Sequence, residues 1–398
     1  MSFRRLRKSW PTIATDMKLC IATSSYPSQI ENSFAGVFAR DFAKELVRQG
    51  IEVSVFTQDT GNPSLQDEGI EVITFPWPGK TTPLASLKPY HPLDVLKIVL
   101  LLQRGKRQLI QHCLQKKVNL VLALWTLPAG HWGIGVQRSL GTPLAVWSLG
   151  SDIWVYGRLP VFKCWVRRVL QQCTYRFADG FSLAEEVSAL SGRRCTFLPT
   201  TRTLPQKGLP TLALHPNKIH YVFIGRYHKN KGPDLLLEAI RLIEPEYLSR
   251  IQFHFFGAGS MEKELKGKVF EYGLEENVTI QGPIDPYTVS ALLQQCHGLI
   301  LPSRIESIPV ILSDALQADC NLIVTDVGDM GTLVRSYRAG LVVEKESPEK
   351  LKEAILEQWK RGRDDFREGR LKLYTLFDLK ESVAKFLKIV SNEEIMEF

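Results

Sequence analysis

The sequence predicts an α/β protein made of two tandem, doubly wound parallel-sheet domains. Three observations carry this. Short apolar runs rich in Val, Ile and Leu alternate with helix-length amphipathic segments through the whole chain. That is the pattern of strands covered on both faces by crossover helices. The alternation pauses once, at residues 200–217, where Thr, Pro, Lys, Gly and His dominate, and then restarts. At 398 residues the chain exceeds the roughly 250–300 residues that one core organises.

In the first half, strands are expected over residues 19–24, 51–57, 70–75, 119–124, 144–148 and 180–183. A helix over 35–49 ends at Gly50, a residue that tolerates positive φ. Residues 118–136 are uncharged but broken by Pro128, Gly130, Gly133 and Gly135. They read as a buried strand, a turn and a helix start, not a membrane span. Residues 93–102 (LDVLKIVLLL) form a strongly apolar helix beside basic neighbours. It reads as a core helix, with membrane-surface docking as the alternative. After the pause, strands at 219–225, 251–257, 278–282, 298–303, 321–325 and 340–343 alternate with helices at 234–243, 261–272, 287–296 and 309–318. The expected division is a basic tail at 1–16, a first domain at 17–200, a second at 217–375, and a C-terminal helix at 376–398 packing back on the first. Sheets of this kind bind ligands at the carboxyl ends of their strands.

Composition removes several classes. With 44% hydrophobic residues the chain is not disordered. Seven scattered cysteines without a C-x-x-C pair read as buried thiols of a reducing, cytoplasmic compartment, not as a disulfide framework or a zinc site. MSFRRLRK opens like a signal-peptide n-region, but no apolar h-region follows. The net charge of +8 is uneven: residues 1–198 carry 24 Lys+Arg against 14 Asp+Glu, and the remainder 26 against 28. Residues 88–117 hold seven basic groups and one acid, and 158–176 hold five and none. Each cluster reads first as a solvated helix face. Together they suggest that the first half faces something anionic, such as phospholipid or a polyprenyl diphosphate. No nucleic-acid module is visible, so nucleic acid is not expected.

The chemistry concentrates in the second half. Tyr221–Gly225 runs into Gly-Arg-Tyr-His-Lys-Asn-Lys-Gly (225–232), where Arg226, Lys229 and Lys231 precede a helix. Cations beside a helix N-terminus suit a diphosphate. Phe255-Phe256-Gly257-Ala258-Gly259-Ser260 ends the next strand as a G-x-G turn. Pro302-Ser303-Arg304-Ile305-Glu306-Ser307-Ile308-Pro309 leads into a helix carrying Asp314, so a loop acid and a helix acid flank a helix N-terminus. Thr325-Asp326-Val327-Gly328 ends the following strand. Taken singly, each has a plain structural explanation, as a basic loop, a tight turn or a capped helix.

In that order the motifs resemble glycosyltransferase family 4, the retaining enzymes of the GT-B fold. Leu301–Gly331 resembles its P-S-x-x-E-G-x-P signature with seven residues between two acids and a T-D-x-G-G turn. Tyr221–Gly232 is similar to its F-x-G-R…K-G segment, and Phe255–Ser260 to its F-x-G-x-G turn. In the first half, Ala35-Gly36 opening a helix and Gly150-Ser151-Asp152-Ile153 resemble its N-terminal glycine and its H-G-S-D-I loop. The resemblance implies two Rossmann-like domains facing across a cleft. It implies that Arg226 and Lys231 hold a donor diphosphate and steady the leaving group, that Glu306 contacts the transferred sugar, and that Asp314 holds the ribose. Gly225 and Gly257 fall among the donor contacts. Ile308, Val310 and Ile311 are to supply backbone N–H groups, which Pro309 lacks. Gly36 is to let the first-domain loop approach the diphosphate, and Asp152 is to lie on the acceptor side.

Departures stand beside this. Asp314 replaces the usual Glu, Ser307 a Gly, and Asp329 a second Gly. Leu124 and Leu149 stand where His is frequent, and His131 nearby reads as structural. The implied function is transfer from a nucleotide-diphosphate sugar to a glycan or polyprenyl-linked acceptor, in surface polysaccharide or glycolipid synthesis. No cofactor is implied beyond that co-substrate. No D-x-D motif occurs, and two cations can offset the leaving charge, so no metal is expected. Peripheral contact with an anionic membrane is expected from the basic first half, with Lys97, Arg104, Lys106, Arg107, Arg167 and Arg168 as candidates. The rivals are a sugar-nucleotide epimerase or phosphorylase of the same fold, and a non-catalytic sugar-binding or scaffolding subunit.

Overall fold

The computed structural model describes residues 17–27, 36–60, 66–67, 69–80, 82, 84–88, 90–155, 157 and 159–391. The tail at 1–16, Ala35 and Arg158 lie outside these. The chain forms two compact units. The first takes residues up to Ala178, Leu183–Leu198 and the chain from Lys380 on. The second takes Asp179–Ser182 and Pro199–Leu379.

The first sheet is built from β1 (Lys18–Ala22), β2 (Glu52–Gln58), β3 (Gln66–Asp67), β4 (Ile70–Phe75), β5 (Leu120–Leu124), β6 (Leu144–Ser148), β7 (Tyr175–Ala178) and β8 (Thr196–Phe197). Their order is β3-β4-β2-β1-β5-β6-β7-β8, parallel except for the β3–β4 pair. The second sheet holds β9 (Ile219–Ile224), β10 (Ile251–Phe256), β11 (Val278–Gln281), β12 (Gly298–Leu301), β13 (Leu322–Thr325) and β14 (Leu341–Val343), in the order β11-β10-β9-β12-β13-β14. Both sheets reverse direction at one place, beside β1 and β5 in the first and beside β9 and β12 in the second. Crevices for ligands open at such switch points, outside the carboxyl ends of the strands.

Local chemistry sets the elements. Strands β1, β5 and β6 are apolar on both faces and almost wholly buried, as parallel strands between helical layers must be. The helix Pro286–Gln295 starts on Asp285, which accepts from the backbone N–H groups of Tyr287 and Thr288 at 2.8 and 3.1 Å, with Pro286 at the first position. The apolar segment at 93–102 lies within the helix Pro92–Lys116. Its Gly105 lies so close to Trp132 that a Cβ there would come within 2.5 Å of the indole. Phe56, Phe75 and Trp132 pack below it, with ring centroids 5.1–6.0 Å apart. In the second unit, Tyr221 and Phe253 stack at 5.8 Å and Phe223 meets Phe255 at 5.5 Å. The last helix belongs with the first unit: Phe386 sits 5.6 Å from Phe42 and 5.3 Å from Phe177, and Tyr175 Oη donates to Val390 O at 3.1 Å.

Two sequence expectations are corrected. The strand placed at 180–183 is Tyr175–Ala178, and Phe181 already begins the helix Phe181–Ser191. Arg176 in the middle disguised that strand. Its guanidinium is buried and donates to the carbonyls of Leu170, at 2.6 Å, and of Cys173. It is therefore not part of a solvated basic face. The pause at 200–217, which reads as a linker between domains, is packed in its first half. Thr200, Thr201 and Leu204 are buried against the second unit. Leu204 N–H donates to Gln317 Oε1 at 2.8 Å, and Ser290 Oγ donates to Pro205 O at 2.6 Å.

The second sheet also carries a short chain of imidazoles. His220 Nδ1 lies 2.9 Å from His254 Nε2, and His254 Nδ1 lies 3.1 Å from Thr279 Oγ1. Burial, with His220 beside it, holds His254 down to about 4, against 6.5 for the free side chain. The unfolded chain therefore binds the proton first, so this contribution to stability is full above 6.5 and is lost as pH falls toward 4. We expect the urea midpoint to drop between about pH 7.5 and about pH 5, and His254→Phe to flatten that slope. An unchanged slope in the variant contradicts the assignment.

Candidate functional site

In the second unit, the loops leaving β9, β10, β12 and β13 meet at the switch point. Lys231 closes a turn of 3-10 helix, Lys229–Lys231, and Gly232 follows with φ +67° before the helix Pro233–Arg241. Only glycine fits there, because a Cβ on Gly232 would lie 2.0 Å from Pro302 O. That contact brings the loop after β9 onto the loop after β12. Across it, Lys231 Nζ donates to Glu306 Oε2, with the two side chains 22% and 15% exposed. Arg226, on the same loop after β9, is exposed.

Arg304, which sequence reading passed over, ties these loops together. It forms a two-pronged pair with Asp234, both bonds at 2.8 Å, donates to Lys229 O at 2.7 Å, and pairs with Glu346 at 2.7 Å. Its own backbone N–H donates to Asn230 O at 2.8 Å. The loop that carries Lys231 is thereby held at both ends. An arginine next to the signature acid was the available signal, but its partner Asp234 lies 70 residues away.

The glycines of the G-x-G turn serve packing. A Cβ on Gly257 would lie 1.8 Å from Gly225 O, and one on Gly259 2.3 Å from Tyr227 O. Gly328 opens the helix Gly328–Tyr337 at φ +54°, where a Cβ would lie 2.0 Å from Glu306 O. The helix Val310–Gln317 starts after Pro309, and no side chain caps its first turn. The N–H groups of Val310 and Ile311 belong to that turn, while the Ile308 side chain is buried. Ser307 Oγ is buried and has no hydrogen-bond partner among the described residues. Uncapped N–H groups and an unmatched hydroxyl beside a Lys–Glu pair form a set suited to a phosphorylated sugar.

Two residues expected to meet ligands, Asp314 here and Asp152 in the first unit, are held in internal hydrogen bonds. Asp314 is fully buried, and Arg202 grips it with Nε at 3.0 Å from both oxygens and Nη2 at 2.5 Å. Burial pushes its carboxyl up against the opposing pull of the guanidinium. It has no exposed oxygen to offer a ribose; it anchors the segment that begins the second unit. Asp329 is likewise engaged, accepting from Ser182 Oγ at 2.6 Å and Ser182 N–H at 3.1 Å.

In the first unit, Gly36 caps the helix Val37–Arg48 at φ +77°, and a Cβ there would lie 2.4 Å from Ser25 O. It thus seats the helix start against the exit of β1. Asp152 is fully buried. Its carboxylate accepts from Thr126 N–H at 2.8 Å, Thr126 Oγ1 at 2.7 Å and Leu149 N–H at 3.1 Å. It binds the loops after β5 and β6 to each other and presents nothing outward. Burial raises its carboxyl, opposed by those same bonds. Leu124 lies in the core of β5, and Leu149 is half-buried. His131 accepts from Trp165 Nε1 at 3.1 Å, and burial lowers it to about 4. Among the candidate cations, Lys97 pairs with Asp94 at 3.1 Å. Lys106 and Arg168 line a separate hollow of about 320 Å³ with His131.

The chain is similar to known proteins in both sequence and fold. Residues 35–202 match the model of the glycosyl transferase 4-like domain, and 210–368 match glycosyl transferases group 1. An uncharacterized glycosyltransferase of Methanocaldococcus jannaschii is 29% identical over 136 residues, covering 34% of this chain and 37% of that protein. The chain thus aligns with little more than a third of that relative's length. Sucrose-phosphate synthase from Thermosynechococcus elongatus superposes with a TM-score of 0.74 at 17% identity, over 94% of this chain and 98% of that one. Anabaena HepE, in complex with UDP-glucose, superposes with a TM-score of 0.70 at 16% identity, over 94% and 100%.

The Arg202–Asp314 pair yields a stability test. Removing one partner of a buried pair leaves a bare charge and costs about 3–5 kcal/mol, whereas replacing both by apolar groups costs little. Arg202→Met should lower the thermal midpoint of the second unit, and Asp314→Leu added to it should recover most of the loss. A double variant less stable than Arg202→Met contradicts the pairing.

Proposed function

The chain belongs to glycosyltransferase family 4, of the GT-B fold, and from that premise we propose that it transfers a sugar from a nucleotide-diphosphate donor to a glycan or polyprenyl-linked acceptor. The donor is assigned to the second unit and the acceptor to the first. The observation that carries this is the Lys231–Glu306 pair at the switch point of the second sheet, on the loops that also carry Arg226 and lead into the uncapped helix start at Val310.

A lysine ammonium has three donors. Lys231 can hold Glu306 with one and turn another toward a phosphate oxygen. Glu306 keeps a second oxygen for a sugar hydroxyl. As the bond between the anomeric carbon and the diphosphate breaks, charge grows on the departing oxygen. Arg226 and Lys231 stabilise it there. In the retaining course proposed, the acceptor hydroxyl attacks from the face that the phosphate leaves, and the departing phosphate oxygen takes its proton. No side-chain base is needed in that course, and with two cations on the leaving group a metal is not required. The donor is the only small-molecule partner besides the acceptor.

That HepE was crystallised with UDP-glucose supports a uridine donor as the first to test. Among the described residues no helix is long and apolar enough to cross a membrane. The reading adopted is a cytoplasmic enzyme whose basic first unit makes salt-reversible contact with an anionic membrane, which sedimentation with anionic vesicles at low and high salt reads directly.

A thermal-shift panel of nucleotide sugars tests the donor, since a ligand at about 100 times its Kd adds about 2.7 kcal/mol. Arg226→Ala and Lys231→Ala should each lower turnover by about 10²–10³. Glu306→Gln should keep UDP binding and lose transfer. Near-wild-type turnover in both cation variants would sink the assignment.

A further inference from the structure

The first unit holds a cavity of about 260 Å³ at its own switch point, between Ser24 beyond β1 and Trp125 beyond β5. Resting on the reading of this unit as the acceptor domain, we propose that the cavity is a lipid subsite. It takes the first segment of one isoprenoid chain, and lysines at its rim meet the phosphate that the chain carries.

The walls are the first reason. Leu87, Ile98, Leu102, Trp125, Phe162 and Trp165 stand in them. Among the described residues, Ser24 and Ser151 supply its only hydroxyls. A glycan needs many polar partners, and a lining of Leu, Ile, Phe and Trp offers few. Trp125 also sits at φ +68°, a strained conformation for a bulky residue of the kind retained at functional positions.

The second reason is what lies outside. Ile98, Leu101 and Leu102 turn one face of the helix Pro92–Lys116 into the cavity. On and just before the same turns, Tyr90, Leu93, Leu96 and Val99 are 79%, 63%, 54% and 39% exposed. The helix start is therefore apolar both toward the cavity and away from it, which an ordinary surface helix is not. A compact ring would end inside the cavity. A chain continues out along this apolar face. The cavity's size admits one chain, not a pair.

The third reason is charge. Lys88, Lys97 and Lys163 each stand next in sequence to a wall residue, Leu87, Ile98 and Phe162. Lys88 and Lys163 are exposed. Lys97 pairs with Asp94, the one acid in residues 88–117, and keeps two further N–H donors. Cations one position from the walls of an apolar cavity match an anionic head on an apolar tail.

The test uses farnesyl phosphate as probe and tryptophan fluorescence as readout, since Trp125 and Trp165 stand in the walls. We expect saturable quenching in the full-length protein. Leu87→Gln and Ile98→Gln should raise Kd by about tenfold or more, the cost of a polar group in an apolar pocket. Lys163→Glu, at the surface, should weaken farnesyl phosphate but not farnesol, and keeps the test open if a wall variant fails to fold. Thermal shift by UDP-glucose, measured in parallel, reports the donor site separately. Loss of that shift in the wild type refutes the donor reading, and loss of quenching alone refutes the subsite. The proposal is overturned by no saturable quenching, by full competition from inorganic phosphate, by equal affinity for dodecyl phosphate, or by variants that bind as the wild type does.

Discussion

Lys231 and Glu306 stand 75 residues apart in the chain, on loops leaving two adjacent strands. Their meeting depends on the strand order of the second sheet. Because β9 pairs with β12 as well as β10, the loop after β9 is carried onto the loop after β12 at the one place where the sheet reverses. A half-buried ion pair of this kind contributes little to net stability by itself. Its value is positional: it fixes a cation and an acid side by side, each with bonding capacity left over.

The surroundings serve that placement. Gly232 and Gly328 allow backbone contacts with Pro302 and Glu306 that a Cβ would forbid. Arg304 laces the loop of Lys231 to the signature loop through Asp234, Lys229 and Asn230. Asp314, one turn further on, fastens its helix to Arg202. The first unit repeats the logic with different material. Asp152 ties the loops after β5 and β6 together, and the crevice beside them is lined by Leu, Trp and Phe.

Much of this was legible in the sequence, because periodicity reports burial. Both sheets, nearly every strand, and the cation and acid that meet at the second switch point could be read from apolar runs and the loops after them. What escaped was whatever depends on a distant partner. Tyr175–Ala178 was hidden by Arg176, whose charge is neutralised by carbonyls that only the fold supplies. The two-residue strands β3 and β8 are too short to show a period. The family resemblance made Asp314 and Asp152 ligand contacts, while a buried acid near a helix start serves equally as an internal clamp. Their burial, which decides between the two, comes from Arg202 and Thr126. The cavity of the first unit draws on six separate segments and has no local signature.

The central claim is that Lys231 and Glu306 act as one unit on the donor. A double-mutant cycle on kcat/KM with UDP-glucose, or whichever nucleotide sugar shifts the protein most, measures this directly. The four proteins are the wild type, Lys231→Ala, Glu306→Gln and the double variant. The account predicts strong coupling, the double variant being little worse than the poorer single one. Losses that add to within about 0.5 kcal/mol would mean that the two side chains serve independent ends, and would contradict it.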